Sequence, residues 1–151
     1  MYTAVLVLHS WIRWIALIAG FGATLAAAND SHLKANSRAD RWGLILMMAL
    51  DIQMLLGLLL YLVLSPFTVV ARDNFGAAMR NPQLRFWGVE HISTMLIAVV
   101  LVHAGRVLAR KAATPDARRT RLVICFGIAI FLMLFGTPWP GMSNARPLFR
   151  F

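Results

Sequence analysis

The sequence predicts an all-α fold: an integral membrane bundle of four transmembrane helices, with both termini on the outer (periplasmic) side. Three observations lead there. Hydrophobic residues make up 60% of the chain and charged residues 14%, against roughly half and roughly a quarter in a soluble domain. The apolar residues gather in four runs near the ~20 residues that a helix needs to cross a ~30 Å hydrocarbon layer. The 15 Lys and Arg, against 6 Asp and Glu, lie almost entirely between those runs and are unequally shared between the two sides. The 151 residues form a single domain. The apolar content excludes a disordered chain, and one cysteine, Cys125, excludes a disulfide scaffold.

The first run covers about residues 2–28, interrupted by His9 and Arg13. It lacks the basic leader of a secretory signal peptide and carries an arginine inside it, so a spanning helix is the better reading. The second covers about 42–65, contains Asp51 and Gln53, and ends at Ser65-Pro66, where proline cannot continue a helix. An outer loop, 66–85, follows. Its stretch Phe67 to Met79 fits a short amphipathic surface helix or an ordered loop equally well. The third run covers about 86–108, with Glu90, His91 and His103 inside, and the fourth about 122–136, stopped by Thr137-Pro138-Trp139-Pro140. The outer tail, 137–151, mixes Arg146 and Arg150 with Pro147, Leu148 and Phe149 and suits docking on a partner or on lipid headgroups.

Orientation follows from the basic residues. One side carries Lys34, Arg38, Arg41, Arg106, Arg110, Lys111, Arg118, Arg119 and Arg121. The other carries Arg72, Arg80, Arg85, Arg146 and Arg150. The richer side is expected to face the cytoplasm of a bacterial inner membrane. Trp42, Trp87 and Trp139 fall near run ends, where amphipathic rings settle at the interface. The basic excess is thus topology and lipid attraction, and nucleic acid is not an expected partner. Gly20, Gly22, Gly57, Gly105, Gly127 and Gly136 are read as points of close helix approach.

Titratable groups inside a spanning helix cost a few kcal/mol and need a partner or a purpose. At 1.5 Å per residue, His9 and His91 each lie roughly 8–10 Å below the outer surface. Two imidazoles from different helices at one depth suit bis-histidine ligation of a b-type haem. Arg13, one turn from His9 on the same face, is placed to neutralise a propionate, and Trp11, Trp14, Phe86 and Trp87 are candidate walls. The plainer role for each histidine is a hydrogen bond near the interface. Arg13 and Asp51, both near the midplane, form a candidate structural ion pair between the first two helices, with Glu90 as an alternative partner for Arg13 or else a partner for Arg85. A second haem between His103 and Met47, with Met48 beside it, is a weaker candidate, because methionine is a common gap-filler. His32 lies in an inner loop, Cys125 lacks an activating base, and Glu90, His91 and His9 make only a partial zinc set. No nucleophile–base pair, phosphate loop or dinucleotide fingerprint is present.

The stretches Leu8-His9-Ser10-Trp11-Ile12-Arg13-Trp14, Arg85-Phe86-Trp87-Gly88-Val89-Glu90-His91 and Pro138-Trp139-Pro140 with Arg146-Pro147 together resemble small four-helix bacterial membrane proteins often labelled "cytochrome b"-like. The resemblance spans nearly the whole chain and implies a haem-bearing, electron-transfer role. His9 and His91 fall within it; His103 falls outside. The function expected is electron transfer between a membrane donor such as quinol and a redox partner on the outer side, and not stand-alone catalysis. The alternative is a cofactor-free accessory subunit of a larger membrane complex. Transport is disfavoured, since four helices with one midplane ion pair offer little pathway unless they oligomerise.

Overall fold

A computed structural model describes Met1–Asn29 and Ser37–Arg150. Among these residues the regular structure is helical throughout. Helix α1 (Tyr2–Asn29) is followed by α2 (Arg38–Leu59), which runs on as one π-helical turn, Leu60–Leu64. Three short helices form the connection: α3 (Pro66–Asp73), α4 (Phe75–Arg80) and α5 (Pro82–Arg85). A second π-helical turn, Phe86–Glu90, leads into α6 (His91–Arg110), and α7 (Pro115–Phe135) completes the set. The four long helices pack in a ring. Helix α1 lies against α2 and α7, and α6 lies against α7 and α2.

Three of the helical stretches are long and apolar enough to cross a membrane: Tyr2–Asn29, Arg38–Leu64 and Pro82–Arg110. The fourth differs from expectation. Thr114 caps α7, its hydroxyl accepting from Ala117 N at 3.1 Å, so the helix begins at Pro115, well before residue 122. Its first two turns therefore carry Arg118, Arg119 and Arg121, and only the remainder is continuously apolar. Capping also moves the second helix, whose start shifts from 42 to Arg38 because Ser37 Oγ accepts from Asp40 N. The stretch 67–79 becomes two short helices, broken at Asn74, whose side chain caps the second. His32 lies outside the described residues.

The surface is inverted relative to a soluble bundle. Ile18, Leu25, Leu55, Val100, Phe131 and Phe135 all point outward, while the interior is built from small residues. Ala16, Ala19, Ala23 and Ala27 form the buried face of α1, at the three-to-four-residue spacing that lets helix backbones approach. Gly105 lets α6 approach α7 closely: a Cβ there would lie 2.5 Å from Cys125 Cβ. Gly105→Val is therefore expected to push the two helices apart, at a cost of about 1–3 kcal/mol, read as an earlier unfolding midpoint in a detergent denaturation series.

Many of the basic residues that marked topology also tie helix ends together. Arg118 Nη2 lies 2.6 Å from both Asp40 carboxylate oxygens. Arg106 Nη1 donates to Asp40 O at 3.1 Å. Arg119 donates to Ala28 O and Arg121 to Leu108 O, at 2.7 and 2.6 Å. Those carbonyls belong to the last turns of α1 and α6, which have no acceptor role within their own helices and sit at the negative end of the helix dipole.

Candidate cofactor site

At the opposite end of the ring, α1, α2 and α6 stand apart and enclose a cavity of about 140 Å³. One water occupies about 10–15 Å³ by such a measure, so this space is built for something larger. Its wall is mostly aliphatic and aromatic, from Leu6, Leu50, Met54, Met95 and Trp87. His9 enters from α1, and His91 from the start of α6.

The position of His91 is set by the π-helical turn before it. Tyr61, in the matching turn after α2, donates its hydroxyl to Gly88 O at 2.9 Å, tying the two turns together. Gly88 is in turn pressed on Ala71 of α3, where an added Cβ would meet Ala71 Cβ at 2.9 Å. Thr68 of α3 donates to Tyr61 O at 2.7 Å. The connection between α2 and α6 thus acts as a brace that holds His91. Single π-turns inside helices recur at functional sites because they redirect side chains out of the regular register.

One of the two imidazoles has a nitrogen assigned by its surroundings. His91 Nδ1 lies 2.7 Å from Gly136 O; a carbonyl can only accept, so Nδ1 carries the proton and Nε2 keeps its lone pair. That second interaction is the usual way a metal-ligating histidine is oriented. His9 packs against Gly57 of α2, where a Cβ would come 3.2 Å from His9 Cε1. Its Nδ1 is buried and lacks a hydrogen bond of normal geometry. The two ring centres are 6.4 Å apart and the ring planes are inclined by 65°. Rings at this separation could hold one metal-centred cofactor between them. Phe86 and Trp87 pack on the His91 ring at 5.8 and 5.6 Å.

Charge at the site is one-sided. Arg13, Arg146 and Arg150 line the cavity, and no Asp or Glu is among its lining residues. Arg146 lies over the rings of Phe67 and Trp87, at 4.8 and 5.1 Å. The tail that brings in Arg146 and Arg150 turns at Gly141, with φ of 93°, and lies back across α1. Trp11 Nε1 donates to Arg150 O at 2.8 Å. Arg13 Nη2 and Trp14 Nε1 both donate to Leu148 O, at 2.8 and 3.1 Å. Trp14 also stacks on Phe149 at 5.5 Å. Arg13→Ala removes a charged donor worth about 1.5–3 kcal/mol. Limited proteolysis within 141–150 is expected to accelerate about tenfold or more in that variant.

Several sequence expectations change here. Arg13 and Asp51 do not pair. Arg13 holds the tail, and Asp51 Oδ1 faces His103 Nε2 at 3.3 Å. Depth along the helix was matched, but direction around it was not: Arg13 shares the His9 face, whereas Asp51 points between α2 and α6. His103 is likewise committed, with Nδ1 at 3.0 Å from Val99 O. Met47 packs on the apolar core, so the His103–Met47 site is not assembled. Glu90 pairs with Arg85 at 2.6 Å. Of the four expected aromatic walls, Trp87 lines the cavity, while Trp11 and Trp14 anchor the tail and Phe86 backs His91. Gly57, Tyr61 and the tail arginines were not expected at the site. Their signal was present in the two arginines of an otherwise uncharged tail. Among the described residues no group of three or more His, Cys, Asp or Glu could hold a bare metal ion.

Comparison with protein-family models, curated proteins and solved structures finds no match to this chain.

Proposed function

We propose that this chain is a b-type haem-binding electron-transfer protein of a bacterial inner membrane, holding one haem between α1 and α6. The observation that carries the proposal is the pair of imidazoles, His9 and His91, facing one cavity with ring centres 6.4 Å apart. The donor groups present suit haem, but the cavity of about 140 Å³ is nearer in size to a benzene ring than to a porphyrin, so binding requires the walls to part further. His91 has its Nδ1 proton engaged by Gly136 and its Nε2 free. Gly57 leaves the room that His9 occupies. The apolar wall suits a porphyrin, and Arg13, Arg146 and Arg150 suit its propionates. When bound, haem supplies reversible one-electron transfer. The protein's part is to hold two neutral imidazoles, exclude bulk water and offset negative charge. The resemblance of the motifs containing His9 and His91 to "cytochrome b"-like membrane proteins supports the same reading.

The four-helix membrane bundle belongs to this proposal. Helix α7 crosses with its basic first turns in the headgroup layer, where arginine side chains settle. The nine Lys and Arg on the side of residues 30–41 and 106–121 then face the cytoplasm. The haem cavity and the tail face the periplasm, as does any redox partner. The test is a reduced-minus-oxidised spectrum of the purified chain. A haem signal near one per chain is the expected result. A monodisperse preparation without absorbance, recovered as part of a larger assembly, overturns it in favour of a cofactor-free accessory subunit.

A further inference from the structure

The pair formed by Asp51 and His103 lies outside the cavity and is unused by the reading above. Asp51 is midway along the stretch Arg38–Leu64, and His103 meets it from α6. Their side chains are 39% and 43% exposed on the outer surface of the ring. Flanking residues on the same face are apolar and also exposed: Met48 and Leu55 on α2, Leu96 and Val100 on α6. With α2 and α6 in the membrane, as proposed above, this pair would meet lipid tails. Titratable groups at such depth almost always face protein or water, since hydrocarbon offers them no hydrogen bond. The face therefore requires a cover.

We infer that the α2–α6 face is covered by a second copy of this chain, related by a twofold axis along the membrane normal that passes beside Asp51 and His103. The argument is charge complementarity. His103 Nε2 lies 3.3 Å from Asp51 Oδ1, so the pair sets an imidazole and a carboxyl group side by side as a dipole. A twofold axis along the normal preserves depth. Because the two residues touch, they share one depth, and the axis sets each imidazole opposite the other copy's carboxyl group. The two dipoles then lie head to tail and attract, strongly so where the dielectric is low. A patch with Asp51 alone would repel its own image. An isologous contact needs this self-complementarity, and twofold dimers are the commonest assembly of soluble homo-oligomers. The apolar residues around the pair supply the contact rim.

The test uses the full-length chain in lipid vesicles, with Cys125→Ala as background and a short bismaleimide crosslinker. Val100→Cys reports on the proposed face and Phe131→Cys on the outer surface of α7; these side chains are 63% and 67% exposed. Val100→Cys is expected to give crosslinked dimer at least tenfold more efficiently than Phe131→Cys. Adding Asp51→His or His103→Asp to Val100→Cys should lower that yield about tenfold in each case, because like groups then face one another. Mixing the two variants in one membrane should restore it, which also shows that both fold. Equal yields at Val100→Cys and Phe131→Cys, or no recovery on mixing, would overturn the interface. Loss of the chain from vesicles on alkaline carbonate washing would instead overturn the membrane reading on which this inference rests.

Discussion

Replacing His91 by alanine is expected to remove haem from the purified protein altogether, with a loss of affinity of about a hundredfold or more, and His9→Ala should do the same. In the proposed arrangement each histidine would hold the haem from one side. Removing either leaves a single imidazole at the cavity of about 140 Å³. The two variants differ in how they fail. His91 Nδ1 is held by Gly136 O at the end of α7, so His91→Ala also frees a carbonyl at the helix end, and a lower unfolding midpoint should accompany the lost haem. His9 Nδ1 lacks a hydrogen bond of normal geometry, so His9→Ala should lower the unfolding midpoint less than His91→Ala does. Haem content by pyridine haemochrome and thermal unfolding by circular dichroism separate the two effects. Full retention of haem in both variants would contradict the ligand assignment.

Gly57→Val should have the second-largest effect, and it tests the cavity without touching a ligand. A Cβ at residue 57 already comes within 3.2 Å of His9 Cε1, tighter than ordinary contact. The branched side chain would therefore displace the imidazole into the cavity, and it has little freedom at χ1 to avoid doing so. Overpacking of this kind costs about 1–3 kcal/mol, and the misplaced His9 nitrogen should lower haem occupancy about tenfold while α2 remains helical. The expected readout is a predominantly five-coordinate spectrum from the haem that remains. Gly127→Val is the control, since nothing lies within 4 Å of a Cβ there.

The long helices α1, α2 and α6 were readable from the sequence because their signal is local: extended apolar runs, broken by a few polar residues, announced them. Helix α7 was harder. Its start is written in Thr114 and Pro115, a cap and a first-turn proline, and not in hydropathy, so the apolar run alone placed it seven residues late. That His9 and His91 meet at one level of the helices was also readable, since rise per residue converts position into level. Azimuth was not. Arg13 and Asp51 have similar depth but point to different neighbours, and only packing decides that Asp51 meets His103. The tail was the least legible part. Nothing in Leu148 or Arg150 announces that their carbonyls are bound by Arg13, Trp14 and Trp11, because such contacts join residues at opposite ends of the chain and depend on backbone groups that every residue carries.

Those tail contacts give the site its electrostatic character. Without the tail, one arginine would stand at the cavity; with it there are three, and no lining carboxylate opposes them. The same segment lines the end of the cavity that the proposed orientation turns toward the periplasm, so under that proposal it would bear on both haem retention and access of a redox partner.

The central claim, that His9 and His91 together ligate one haem, is tested most directly by electron paramagnetic resonance of the oxidised protein supplied with haemin. The arrangement predicts a low-spin ferric signal from one six-coordinate haem per chain, converting to a high-spin signal or vanishing in His9→Ala and in His91→Ala. A high-spin signal in the unsubstituted protein, or a low-spin signal that survives both substitutions, would contradict it.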